Sequence, residues 1–243
     1  MGNLYLIGVH HFDLKGPQRL RKLLNHIRPS AICLESDSRL VAEAVAGWEN
    51  FSGAEKAGML DTEIDRIYCS MGITRPVSDY TLAREFIRTA CYEIWISEEY
   101  RRHTFQSMAM VPVLREDLIL KHIKPVYEAS IGPGMVSGRG EFTPRFWEML
   151  AGMTYQKFQR EQERKYSASP KPSLKKREIL SILHELDDEM EPRIRRAAKN
   201  SRGLPVAVPV GFNHLFMDYG NLANRLSDLS PTRIKLNQAD KLA

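Results

Sequence analysis

Three short segments carry residue types that metal-dependent hydrolases use. Gly8-Val9-His10-His11 and Gly211-Phe212-Asn213-His214 each place a histidine three residues after a glycine, and Glu35 follows an apolar run at residues 31–34. Two imidazoles and a carboxylate are a sufficient ligand set for a catalytic metal that keeps an open position. A metal held in this way polarises a carbonyl group or generates hydroxide near neutral pH.

Each segment follows a run of β-forming residues, at 4–7, 31–34 and 205–210. The carboxyl ends of parallel strands form the crevice where open α/β sheets bind ligands. We therefore expect His11, Glu35 and His214 to emerge on the same edge of a parallel sheet. Glycine at the start of each turn would permit a tight bend and a close backbone approach to a ligand.

Each of these residues also has a simpler structural interpretation. A histidine at a strand end is more often a hydrogen-bonded structural residue than a ligand, and Glu35 could be a helix-start acid stabilised by the macrodipole. Arg39 lies four residues beyond Glu35 and could orient it across one helical turn, bind an oxyanion, or be only its surface partner. His10 alternates with His11, so we expect it to pack in the core or to contact a metal ligand rather than the metal. We expect Asp13 to cap a helix or to hydrogen-bond within the turn.

The surrounding pattern predicts an α/β fold whose largely parallel sheet is formed from both ends of the chain. The first strand, a helix with Leu20, Leu23, Leu24 and Ile27 on one face, and the second strand form a β-α-β unit. We expect its two strands to be parallel and adjacent. The prolines at positions 205 and 209 weigh against a fully paired central strand near the C-terminus.

The middle of the chain reads mostly as helix, so we expect one domain over residues 1–243. Its α/β core would comprise about 1–50 and 200–235, with a large helical insertion at about 52–200. Within the insertion the pattern predicts helices over 79–106, 117–127, 146–164 and 177–199, an edge strand or loop at 110–114, a glycine-rich loop at 132–140 and a surface linker at 166–173. The last of these helices has one apolar face, formed by Ile179, Ile182, Leu183, Leu186, Met190 and Ile194.

Composition limits the class of protein and its partners. The 243 residues, 43% hydrophobic and 27% charged, are ordinary for a globular domain. The net charge of +5 is spread over many segments, so we expect no nucleic-acid partner. Three widely spaced cysteines form no disulfide pattern, and neither a signal peptide nor an apolar run of roughly 18 residues is present. We therefore expect a cytoplasmic protein without a membrane span.

Two parts of the sequence resemble the TraB/TIKI/PrgY family, within the superfamily that includes the EreA-like and ChaN-like proteins. Leu6-Ile7-Gly8-Val9-His10-His11 and the stretch PSAICLESDSR at residues 29–39 are similar to the start of these proteins. Residues 206–214 resemble their second Gly-x-x-His block. The resemblance covers roughly residues 3–45 and 185–226. The family's Glu-Arg pair before the last strand reads Glu191-Pro192-Arg193 here, with the arginine displaced by one.

The resemblance implies a metal-dependent hydrolase acting on a peptide or amide bond. TIKI members are manganese- or cobalt-dependent peptidases, and PrgY and TraB relatives reduce the activity of peptide pheromones. It implies that His11, Glu35 and His214 hold a divalent metal (Mn, Co or Zn), or that Glu35 is the general base beside a water ligand. Arg39 and Arg193 would bind substrate or developing negative charge.

Two alternatives remain open at this point. In the first, the protein sequesters a peptide, a small molecule or a cofactor in the same crevice without turnover. In the second, it is a structural or partner-binding protein whose helical insertion forms a homodimer interface.

Overall fold

The computed structural model describes residues 3–10, 12–37, 106–111, 124–138, 142–167, 174–216 and 222–242. The strands in this part of the chain are β1 (Leu4–Val9), β2 (Ala31–Asp37), β3 (Gln106–Val111), β4 (Val206–Gly211) and β5 (Thr232–Lys235). The helices are α1 (Gly16–Ile27), α2 (Lys124–Ile131), α3 (Pro144–Ala151), α4 (Tyr155–Ser167), α5 (Leu174–Asn200), α6 (Asn213–Phe216) and α7 (Leu222–Arg225), followed by 3₁₀ segments Ser227–Leu229 and Leu236–Lys241.

The described strands form one parallel sheet in the order β3-β2-β4-β1-β5. Strands from the two ends of the chain alternate in its centre, because β4 lies between β2 and β1. The protein is therefore an α/β fold whose sheet is built from both ends of the chain, as the sequence predicts.

The expectation that β1 and β2 are adjacent is wrong. They are parallel, but β4 pairs with β1 from Leu4↔Val206 onward and with β2 at Ala31↔Val206 and Ile32↔Ala207. The crossover connection through α1 leads from β1 to the strand two positions away, at about 4.8 Å per strand spacing. The fully buried strand β4 occupies the position between β1 and β2.

Pro209 is accommodated in this central strand because of the direction in which its nitrogen points. Ser30 N–H donates to the Pro205 carbonyl on the β2 side at 2.7 Å, and Val206 N–H donates to Asn3 on the β1 side at 2.7 Å. Backbone groups alternate in direction along a strand, so the nitrogen of Pro209 faces the β2 side. The pairing of β4 with β2 ends at Ala207, so the proline removes no ladder hydrogen bond.

Helices cover both faces of the sheet. On one face, Met190, Ile194 and Ala197 of α5 pack with side chains of β1, β2 and β4 and with Leu222, Ala223 and Leu226 near α7. On the other face, the predicted apolar stripe of α1 packs with Ile7, Ile32 and Ala207 and with Leu236 and Ala239 of the C-terminal 3₁₀ segment. The predicted apolar face of α5 is likewise confirmed, since Ile182, Leu183, Met190 and Ile194 are buried.

The middle of the chain contributes more than helices. β3 pairs parallel with β2, is the outermost of the described strands on that side, and ends before Pro112, slightly earlier than the predicted segment at 110–114. The helix predicted over 146–164 is two helices, α3 and α4, separated by Gly152, Met153 and Thr154. The helix predicted over 79–106 lies outside the described residues, except for Gln106 in β3.

Tyr166 is the clearest departure from the predicted surface linker at 166–173. It lies in α4, its side chain is buried, and its hydroxyl donates to Asp13 at 2.8 Å. The carboxylate of Asp13 also accepts from the Lys15 N–H, from Gln159 and from Arg19, at 2.9, 3.1 and 2.7 Å. The predicted turn hydrogen bond of Asp13 is therefore present, within a larger buried network that joins the segment after β1 to α1 and α4.

We expect Asp13→Ala to lower the free energy of unfolding by about 1–3 kcal/mol, because it removes the acceptor of the buried Tyr166 hydroxyl and of Arg19 Nη1, while Asp240 and Glu163 still pair with the rest of the guanidinium. Chemical denaturation followed by circular dichroism measures the change. The control is Asp228→Ala, whose carboxylate is largely exposed in its ion pair with Arg195, and which should leave the unfolding midpoint near that of the wild type. Equal effects of the two substitutions would contradict a structural role for the Asp13 network.

Candidate functional site

Glu35 lies where β2 turns away from β4. Ala31 and Cys33 of β2 pack on the α5 face of the sheet, and Glu35 continues that alternation. The pairing of β2 with β3 shifts register between Leu34 and Asp37, and such irregularities re-aim side chains. The Glu35 carboxylate accepts the Gly211 N–H at 2.5 Å, so a side chain replaces the missing β2 backbone partner at the end of β4.

His214 meets Glu35 from α6, just beyond β4. Its Nε2 lies 3.4 Å from Glu35 Oε1, and its Nδ1 lies 2.6 Å from Oδ1 of Asp187 in α5. The imidazole and Asp187 are buried, whereas the Glu35 side chain retains 15% exposure. The structure thus places an imidazole between two carboxylates at the carboxyl ends of two central strands.

Asp187 is the residue that sequence reasoning did not single out. It lies in the run Glu185-Leu186-Asp187-Asp188-Glu189, where four acids in five positions suggest a solvated helix face. Its burial follows from the periodicity of the apolar residues, because Leu183, Met190 and Ile194 share its side of α5 at spacings of three to four residues. The sequence signal for Asp187 is an acid at a position that helical periodicity assigns to the buried side of α5. This signal can be recognised only when the register of the helix is known.

The two carboxylates change the protonation of His214. Burial by itself lowers the pKa of the imidazole, but the charge of Glu35 and the hydrogen bond with Asp187 outweigh it and raise the pKa from 6.5 to about 10. The imidazole is therefore protonated at neutral pH in the metal-free protein, and its two N–H groups face the two acids.

The other predicted site residues are placed differently. His11 and Arg39 lie outside the described residues. Arg193 is half-buried in α5, six positions beyond Asp187. Six positions correspond to about 600° of rotation, so Arg193 lies about 120° around the helix from Asp187. The helix does not direct Asp187 and Arg193 to the same side.

His10 belongs to an aromatic stack beside the site, in agreement with its predicted packing role. Its ring stacks on Phe212 with centroids 4.6 Å apart and meets Tyr166 edge-on at 4.4 Å. Phe216 extends the stack, 4.9 Å from Phe212. A Cβ on Gly8 would lie 2.7 Å from the Phe216 ring. Gly8 is therefore required because the Phe216 ring occupies the space that a side chain at this position of β1 would need. The sequence predicted a different reason, a tight bend.

The described residues fit a divalent metal in part. Tetrahedral sites with bonds of about 2.0–2.2 Å separate neighbouring ligand atoms by roughly 3.3–3.5 Å, and the 3.4 Å between His214 Nε2 and Glu35 Oε1 matches this. Metal-bound histidines usually donate their other ring N–H to a carboxylate, as Asp187 would accept here. No group of three or more His, Cys, Asp or Glu side chains that could hold a metal occurs within the described ranges. Two side chains with metal-binding atoms and an acid beside the histidine are therefore present, and the predicted third ligand, His11, lies outside those ranges.

No protein-family model, curated protein or solved structure matches this chain. No helix in the described ranges is long and apolar enough to cross a membrane.

Gly8→Ala should lower the free energy of unfolding by about 1–3 kcal/mol, because the added methyl group overlaps the Phe216 ring. Adding Phe216→Leu should recover part of that loss, and a double-mutant cycle measures the coupling. Gly152→Ala is the control, since a Cβ there has ordinary contacts at 3.6 Å and a helical backbone. A Gly8→Ala variant as stable as Gly152→Ala would exclude the proposed steric requirement.

Stability of the metal-free protein should fall as pH rises from 6.5 towards 9. The folded-state pKa of His214 is raised from 6.5 to about 10, so its contribution is complete below pH 6.5 and declines through this range. Above pH 9 the buried Cys33, whose pKa burial raises from 9.0 to about 12, adds a similar trend. Urea unfolding in a chelator across this range should show a flatter profile for His214→Gln, and identical profiles would contradict the raised pKa.

Proposed function

We propose that this protein is a metal-dependent hydrolase of the TraB/TIKI type that acts on a peptide or amide bond. The observation that carries the proposal is the meeting of His214 Nε2 and Glu35 Oε1, 3.4 Å apart, at the carboxyl edge of the sheet. This edge is where parallel α/β sheets bind ligands. The sequence resemblance supports the same assignment independently, because it singles out both residues together with His11.

The formal charges at the site favour a divalent cation. When ionised, Asp187 and Glu35 bring two negative charges to one buried imidazole. Two carboxylates attract a divalent cation, and an imidazole nitrogen with a carboxylate oxygen is a ligand pair that Mn²⁺, Co²⁺ and Zn²⁺ accept.

Each residue would have a distinct role in hydrolysis. A bound metal would polarise the scissile carbonyl and lower the pKa of a water molecule. His214 and Glu35 would hold it together with His11, or Glu35 would take a proton from the attacking water as general base. Its partial exposure suits the second role, because Glu35 is the more accessible of the two contacting side chains. Arg39 would bind substrate or developing negative charge, whereas Arg193 is not on the side of α5 that carries Asp187.

The burial of His214 favours a second candidate function. Its side chain is only 3% exposed, which leaves little access for an attacking water except past Glu35. A crevice of this kind would also suit a protein that binds a peptide, a small molecule or a cofactor and releases it unchanged.

We expect peptide cleavage that depends on added Mn²⁺, Co²⁺ or Zn²⁺ when the purified protein is incubated with a mixed peptide library and products are followed by mass spectrometry. Glu35→Gln should reduce the rate by about 10²–10⁴-fold, and His214→Ala and His11→Ala should abolish metal-dependent turnover. Asp188→Asn is the control, because its carboxylate is exposed and pairs with Arg225. Peptide binding without product after long incubation would favour sequestration, and cleavage unaffected by chelator would exclude the metal-dependent mechanism.

A further inference from the structure

Asp187 has an environment that packing alone does not explain. The residue is 1% exposed, and its Oδ1 lies 2.6 Å from His214 Nδ1. Within the described ranges no hydrogen-bond donor reaches its second oxygen, Oδ2. A buried polar atom without a partner destabilises the fold. Sites that break a local rule in this way are often functional.

We propose that Asp187 is a positioning residue, which fixes the His214 imidazole so that Nδ1 carries the proton and Nε2 faces Glu35. The purpose of this arrangement rests on the proposed hydrolase function, whereas the contact itself does not.

The two distances around the imidazole decide where a single proton is held. N–H···O hydrogen bonds span about 2.7–3.2 Å, so the 2.6 Å contact with Asp187 is a strong bond and the 3.4 Å approach to Glu35 is not. Both ring nitrogens carry a proton in the metal-free protein at neutral pH, but an imidazole can bind a cation through Nε2 only in its neutral form, which carries one N–H. Asp187 therefore keeps that proton on Nδ1 and leaves the lone pair of Nε2 directed at Glu35. There the lone pair could bind a cation or accept a proton from a substrate.

An asparagine at position 187 would lose this selectivity while keeping nearly the same volume. Its amide oxygen could accept from Nδ1–H, but its amide nitrogen could equally donate to Nδ1 and move the imidazole proton to Nε2. The negative charge that raises the basicity of Nε2 would also be lost. Replacing the partner of a metal-bound histidine typically lowers metal affinity by about 10–100-fold.

The neighbouring acid provides a matched control. Asp188 has the same side chain on the same helix, but it is 63% exposed and pairs with Arg225 at the surface. Asp187→Asn and Asp188→Asn therefore remove the same charge one position apart. A general effect of charge on the helix would appear in both variants, and a positioning effect only in the first.

The experiment combines proton NMR of the metal-free protein with zinc titration by calorimetry, using zinc alone. Wild type should show a strongly downfield imidazole N–H resonance that is protected from exchange and disappears in His214→Gln. Asp187→Asn should lose this resonance and weaken zinc binding by about 10–100-fold, while Asp188→Asn retains both properties. Asp187→Glu moves the carboxylate by one methylene, so it should shift the resonance and recover part of the zinc affinity. This variant replaces Asp187→Asn in the test if Asp187→Asn does not fold.

The outcomes separate the two proposals. A wild type without the downfield resonance, or an Asp187→Asn variant that keeps it, overturns the positioning role whether or not zinc binds. A resonance that depends on Asp187 in a wild type that binds no zinc supports the positioning role and removes the metal-dependent function. Equal losses of zinc affinity in Asp187→Asn and Asp188→Asn would overturn the positioning role as well.

Discussion

The separation of β2 from β4 is the constraint on which the site depends. The two strands pair only at Ala31↔Val206 and Ile32↔Ala207, and beyond that point Pro209 has no N–H to offer. The free Gly211 N–H at the end of β4 is then satisfied by the carboxylate of Glu35. One backbone irregularity thus brings an acid from β2 against the end of β4 and leaves its second oxygen directed towards His214.

The layers on either side of the sheet hold this geometry in place. On one face, α5 buries Asp187 beside His214 through the same stripe that packs Met190 and Ile194 on the strands. On the other face, Asp13 ties the segment after β1 to α1 and α4 through charged and neutral hydrogen bonds. Asp13 bonds to side chains of two helices, and Asp187 joins α5 to α6 through His214, so each buried acid limits how far its segment can move.

The sequence predicted the parts of this arrangement that depend on local pattern. The apolar stripes of α1 and α5, the strand before each Gly-x-x-His motif, and the positions of Glu35 and His214 at strand ends all follow from residue type and spacing. Strand order did not follow, because the insertion of β4 between β1 and β2 depends on pairing between residues about 200 positions apart. Short β5, with only four residues, gave too weak a pattern to be predicted.

The local sequence pattern also could not predict which polar residues are buried or what they contact. Asp187 and Tyr166 lie in segments whose composition is typical of a surface, and only the tertiary structure buries them. The most direct measurement of the central claim is a crystal structure of the protein soaked with zinc, with the ion located by anomalous scattering. We predict one ion about 2.0–2.2 Å from His214 Nε2 and from a Glu35 oxygen, with Asp187 on Nδ1. An imidazole turned so that Nε2 points away from Glu35, or no ion between the two side chains, would contradict it.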